Sequence, residues 1–153
     1  MQTVNYAAGW RRRRLRCILD FETFLCLILI NMITPERNIP LKLASLRQSK
    51  FRSKFKLPQK DRDYIVAKGL ETIKEHAYQF VNSRVAPDSP KNDGKQTPMK
   101  GHPVFIAQHG TATCCRKCIQ KWHGIGKGRA LGEAEVDFIV ALIMGWIERQ
   151  VKE

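Results

Sequence analysis

Apolar side chains recur at alternating steps of four and three from Val66 through Leu70, Ile73 and Ala77 to Phe80, a spacing that aligns them on one face of a helix. Asp61 and Asp63 supply negative charge where the helix dipole is positive. The pattern therefore predicts one amphipathic helix over about 59–85. Gly69 falls inside it at a cost of about 1 kcal/mol relative to alanine, which the stripe can absorb. A second periodic run, Val136, Ile139, Val140, Ile143, Ile147 and Val151, predicts a helix from about Gly132 to Val151. Phe138, Leu142 and Trp146 widen its apolar arc, which marks it as the central helix. No segment alternates with period two and no hairpin signal interrupts the chain. The expected fold class is all-α, a small single-domain bundle of three principal helices with a basic N-terminal arm.

Between these helices, residues 86–101 hold Pro87, Pro90, Pro98, Gly94 and Gly101 among Ser, Asn and Asp, which reads as a loop. Loops of that length in a compact domain are often functional. Upstream, Pro35 and Pro40 punctuate a segment that reads as a linker over 32–44, so the helical domain is expected over 45–153. Residues 1–31 join Arg11, Arg12, Arg13, Arg14 and Arg16 to an apolar run from Phe24 to Ile30. The run is too short to span a bilayer, for which about 20 residues are needed, and no small-residue cleavage pattern follows. No integral membrane span is expected. The segment reads as an extension outside the folded domain, with Met32 as the functional start.

Charge narrows the choice of partners. The 153 residues carry 27 Lys and Arg against 14 Asp and Glu, a formal charge of +13. Residues 1–31 contribute +3, residues 32–60 contribute +7, and the whole remainder only +3. A polyanion is the first partner this suggests, and the arm is where it would bind. Phe51 and Phe55 share one helical face with Lys50, Arg52, Lys54 and Lys56 around them. The aromatics could stack on bases while the cations meet phosphates. The plainer reading docks both rings on the core and leaves the cations solvated.

The densest chemistry lies between Gly101 and Gly128, with three of the four His and three of the five Cys. An odd cysteine count with an ordinary core composition points to a reducing, cytoplasmic setting. On one continuous helix His102, His109, Arg116 and His123 would align, being seven apart, and the cysteines would face the other way. Such a polar stripe could bind phosphate or supply acid–base groups, or simply be solvated. A shared Cys/His site requires a break near Gly110–Thr113.

The string from His102-Pro-Val-Phe-Ile-Ala-Gln to His109, with Cys114-Cys-Arg and Lys121-Trp-His following, resembles the motif of a family of small, functionally uncharacterised bacterial proteins, a domain of unknown function. The resemblance runs over about Ser45–Lys152. The chain departs from the family pattern at Gly110 and Lys117, where the family has Ala and Gly, and at Gly126, where it has Pro. The resemblance implies a domain boundary and no activity.

Three functions compete. Non-specific nucleic-acid or phosphate binding would use Lys50, Arg52, Lys54 and Lys56 with Lys127 and Arg129. The last two sit in a Gly-rich turn that resembles a helix-hairpin-helix, although Ala130-Leu-Gly-Glu delays the next helix. A metal- or thiol-dependent enzyme would use His109, Cys114, Cys115, Cys118 and His123, with zinc as the candidate cofactor because it prefers thiolate and imidazole. In a thiol version, Arg116 and Lys117 between Cys115 and Cys118 would lower a thiol pKa. The third is a structural protein-interaction bundle in which the cysteines are small core residues.

Overall fold

The computed structural model describes residues 38–153 apart from Asp93. The reading of 1–31 as an extension, and of Met32 as a start, lies outside those residues. Among the described residues there are six α-helices and no strand. These are α1 (Ile39–Arg47), α2 (Gln59–Lys68), α3 (Leu70–Arg84), α4 (Pro103–Gly110), α5 (Arg116–His123) and α6 (Glu133–Lys152), with a 3-10 turn at Arg52–Lys54. The class is all-α as expected, but six helices replace the three principal ones.

The first difference is α1, which begins inside the stretch read as linker. Asn38 Oδ1 accepts from the Leu41 N–H at 3.2 Å, and Pro40 occupies the first turn, where its missing N–H costs nothing. Leu43 and Leu46 from α1 pack against Ala112 and Leu142.

The second difference is the break of the 59–85 helix at Gly69. Its φ of +83° with ψ of 150° is open essentially to glycine alone. The chain turns there, and the apolar register turns with it. Ile65 is buried on α2, whereas Val66 is 73 % exposed and Leu70 40 % exposed. Beyond the break Ile73 and Ala77 of the predicted stripe are fully buried, whereas Phe80 is half-buried and its neighbour Val81 takes the fully buried position. The positive φ at Gly69, and not the modest cost of a glycine within a helix, is what ends α2.

Helix α6 is central, as its wide apolar arc predicts, and contacts α1, α3 and α4. Ile139, Leu142, Ile143 and Ile147 are fully buried along it. Its start is fixed by Glu135, whose carboxylate accepts from the Gly132 N–H at 2.9 Å. No helix among the described residues is long and apolar enough to cross a membrane.

Candidate metal centre

The segment 102–123 is two helices, and the turn between them builds the site. Pro103 starts α4 and the His102 side chain caps it, accepting from the Val104 N–H at 3.2 Å. After Gly110 the chain reverses through Ala112, a buried residue at φ +58°. A non-glycine residue in this left-handed region costs about 1–2 kcal/mol. The turn is held by Thr113 N–H to Gln108 O at 2.9 Å, Thr111 Oγ1 to Ala107 O at 2.8 Å, and a 2.9 Å contact between the Thr111 and Thr113 hydroxyls. Helix α5 then starts at Cys115, whose Sγ accepts from the Cys118 N–H at 3.4 Å. Gly124, at φ +72°, ends it.

This reversal gathers three thiols. The Sγ atoms of Cys114, Cys115 and Cys118 all lie within 4.8 Å of one another. Cys114 and Cys115 are buried, and Cys118 is half-buried. Arg52 reaches the group from the arm, with one guanidinium nitrogen 3.1 Å from Cys118 Sγ and the other 3.9 Å from Cys114 Sγ and 2.6 Å from His109 O. Thr97 Oγ1 donates to Cys114 O at 2.9 Å, tying the long loop to the same turn.

The electrostatics divide the thiols into unlike members. Cys114 and Cys115 donate towards Cys118, and with the Arg52 cation they hold its pKa down, to about 5. Cys114 is pushed the other way because its own proton is held in that hydrogen bond and because it is buried. Burial also raises Cys115. The group is therefore a thiolate at Cys118 supported by two thiols and a guanidinium, at the first turn of a helix whose dipole adds to the effect.

The two predicted imidazole ligands stand apart from the thiol group. His109 donates from Nε2 to the Thr97 and Pro98 carbonyls, both at 3.3 Å, and stacks on Phe55 with 5.5 Å between ring centroids. Burial lowers its pKa. His123 donates from Nε2 to Thr111 O at 2.9 Å. Burial holds its pKa at about 4. The His123 ring braces the turn that carries the thiols, and the His109 ring ties α4 to the 86–101 loop. The helix break that a shared Cys/His site requires is present, and it brings the cysteines together without adding the histidines.

The polar stripe does not form, because no single helix spans 102–123. Arg116 is buried and donates to Val85 O at 3.3 Å, Gly126 O at 2.6 Å and Arg129 O at 3.0 Å. It therefore cannot serve as the cation beside the thiols, and Lys117 is solvent-exposed. His102 instead meets His76, with Nε2 3.1 Å from His76 Nδ1. Since His102 Nδ1 accepts the capping N–H, its proton sits on Nε2 and is donated to His76. Desolvation, then the neighbouring His76, lowers the His102 pKa to about 4.

The phosphate candidates divide as well. Arg52 is only 8 % exposed and is committed to the thiols, while Lys50, Lys54 and Lys56 remain exposed. Of the two rings, Phe55 docks on the core, whereas Phe51 is 54 % exposed with its ring edge-on to Phe55 at 5.3 Å. The Gly-rich turn presents Gly126 and Arg129 carbonyls inward to Arg116, and Arg129 pairs with Glu135 at 2.5 Å. Only Lys127 of that pair remains exposed and uncommitted to a carboxylate. Arg52 is held at the thiols rather than at the surface with the other candidate cations, and its spacing from the cysteines, 62 and 66 residues, carries no local signal.

A family model described as Domain of unknown function (DUF4186) matches residues 41–148. The chain belongs to the DUF4186 family. The match takes in most of α1, all of α2 to α5 and most of α6, so the thiol group and Arg52 both lie inside the DUF4186 domain. No solved structure matches the chain.

Proposed function

We propose that this DUF4186 domain is a metal-binding module in which the thiolates of Cys114, Cys115 and Cys118 hold one zinc ion. The observation that carries the reading is the mutual approach of the three sulfurs within 4.8 Å. Tetrahedral zinc with bonds of about 2.3 Å to sulfur holds its thiolates about 3.8 Å apart, so small side-chain adjustments satisfy it. Charge favours the same conclusion. Three thiolates and a divalent ion leave one negative charge, and Arg52 beside Cys118 and Cys114 neutralises it. Three protein ligands leave a fourth position for water or substrate, the arrangement of catalytic zinc more than of structural zinc. In a reducing cytoplasm the thiols stay available for the ion.

The experiment is elemental analysis of the full chain purified under reducing conditions without chelator. One zinc per chain is expected, lost in Cys114→Ser and in Cys118→Ser. Cobalt should replace it and give the thiolate charge-transfer bands of three sulfur ligands. Protein free of metal that also gives no such band on cobalt titration rejects the reading.

A second reading draws on the unlike pKa values of the thiols. The Cys118 thiolate attacks a low-molecular-weight disulfide and expels one thiolate; Cys115, losing its proton, then displaces the second and closes a Cys115–Cys118 disulfide. Metal-free protein that undergoes this exchange, with Cys115→Ser stopping at the mixed disulfide, supports this reading over zinc.

A further inference from the structure

We propose that the groove between α3 and α6 receives the Phe51 turn of a second copy of this chain. The groove measures about 440 Å³ and runs from Asp137 to Glu148 along α6, about 16 Å of helix. Both of its walls are continuous helix. Leu70, Val140 and Met144 give it an apolar lining, and Glu71, Asp137 and Glu148 bring three carboxylates against one cation, Lys74. Among the described residues no ion pair engages any of the three. Asp137 accepts from the Tyr78 hydroxyl at 2.9 Å, which leaves its charge in place. On a chain of formal charge +13, this face is locally acidic.

The complementary element is carried by the same sequence. Phe51 is the one aromatic among the exposed large apolar side chains of the described residues, and it does not line its own chain's groove. Its ring is held in place by Phe55 on one side and by the Arg52 guanidinium, 5.0 Å from its centroid. The turn beneath it is closed by Ser53 N–H to Ser49 O at 3.0 Å and by Phe55 N–H to Arg52 O at 3.2 Å. Lys50 and Lys54 flank the ring, both exposed and neither in an ion pair among the described residues. A ring already held in this way loses little freedom on docking.

Charge and chemistry select this occupant. A phenyl ring entering the groove meets Leu70 and the Met144 thioether, a favourable sulfur–aromatic contact, while Lys50 and Lys54 meet Glu71 and Glu148. A polyanion is repelled by the same carboxylates, and a neutral ligand leaves them unused. A knob on one surface and a groove on another give a head-to-tail contact. One aromatic side chain takes about 200 Å² out of water, well below the roughly 1,200 Å² of a stable interface, so the association is weak and depends on concentration. The proposal does not rest on zinc, since neither the groove nor the Phe51 ring is part of the thiol group.

Sedimentation equilibrium of the full chain from about 10 μM to about 1 mM, with reductant present, tests it. The weight-average mass should rise with concentration, with a dissociation constant of about 100 μM. Phe51→Ala should weaken the association about tenfold. Lys50→Glu/Lys54→Glu and Glu71→Lys/Glu148→Lys should each leave a monomer over the same range. All four charged positions are exposed, so these variants fold even if Phe51→Ala disturbs Arg52. An equimolar mixture of the two charge-reversed proteins should associate again, because each turn then meets a groove of opposite charge. A wild-type chain that stays monomeric to about 1 mM, leaving the groove to another occupant, overturns the proposal. So does association that survives both charge reversals, or a mixture that stays monomeric.

Discussion

The guanidinium of Arg52 lies 3.1 Å from Cys118 Sγ, joining the basic arm to the cysteine turn across 66 residues of chain. The same side chain bonds the His109 carbonyl at 2.6 Å, so one residue both charges the thiol group and closes the end of α4. A positive residue read as a phosphate contact is thus part of the interior.

Arg52→Gln in metal-free protein should raise the pH at which Cys118 reacts. The wild-type thiolate forms near pH 5. A neighbouring opposite charge accounts for about one unit or more of such a displacement, with the Cys114 hydrogen bond left in place. The rate of alkylation by iodoacetamide against pH gives the midpoint. A profile unchanged in Arg52→Gln would remove the cation from the account.

Gly69→Ala should destabilise the domain, although alanine is the better helix former. No atom lies within 4 Å of the position an added Cβ would take, so sterics with neighbours play no part. The cost is conformational, about 1–3 kcal/mol for an L-residue held at φ +83°. Urea denaturation measures it. A gain in stability with a rise in helical circular dichroism would mean that α2 and α3 can fuse.

Much of the fold is written in local periodicity, and the rest is set by backbone conformation and distant pairing. The Val136 to Val151 stripe defines α6 because every member needs the same face buried. The run from Val66 to Phe80 has the same spacing but is divided by Gly69, whose φ no hydrophobic pattern reveals. In the site, the closeness of Cys114, Cys115 and Cys118 follows from adjacent sequence and a turn at Ala112. The assignment of Arg52 to sulfur and of His109 and His123 to carbonyls depends on how α1, the 3-10 turn and the loop pack, which no spacing encodes.

Stability should fall as pH is lowered from about 6.5 to about 4. His102 and His123 both have folded pKa values near 4, below the ordinary 6.5. In that window the unfolded chain binds protons that the folded chain refuses, so their contribution is complete above pH 6.5 and is lost as pH falls. His123 is 9 % exposed, and its full contribution is about 3 kcal/mol. Urea denaturation at several pH values reads the slope. His102→Asn keeps a capping oxygen for the Val104 N–H while removing the titrating ring, so it should flatten the slope. A slope equal to wild type would show that His102 does not contribute.

Gly110→Ala probes the contact between α4 and α6. A Cβ at this position would stand 2.9 Å from both Cε2 and Nε1 of Trp146, closer than real Cβ atoms come. The half-buried indole belongs to the core that also holds Leu43, Leu46 and Leu142, so it has little room to retreat. Overpacking of this kind costs about 1–3 kcal/mol. A domain of this size should show it as a fall of several degrees in Tm. Pairing Gly110→Ala with Trp146→Phe, which shortens the ring system, should restore most of the loss. If the single variant is as stable as wild type, the indole moves freely and the contact carries no packing constraint.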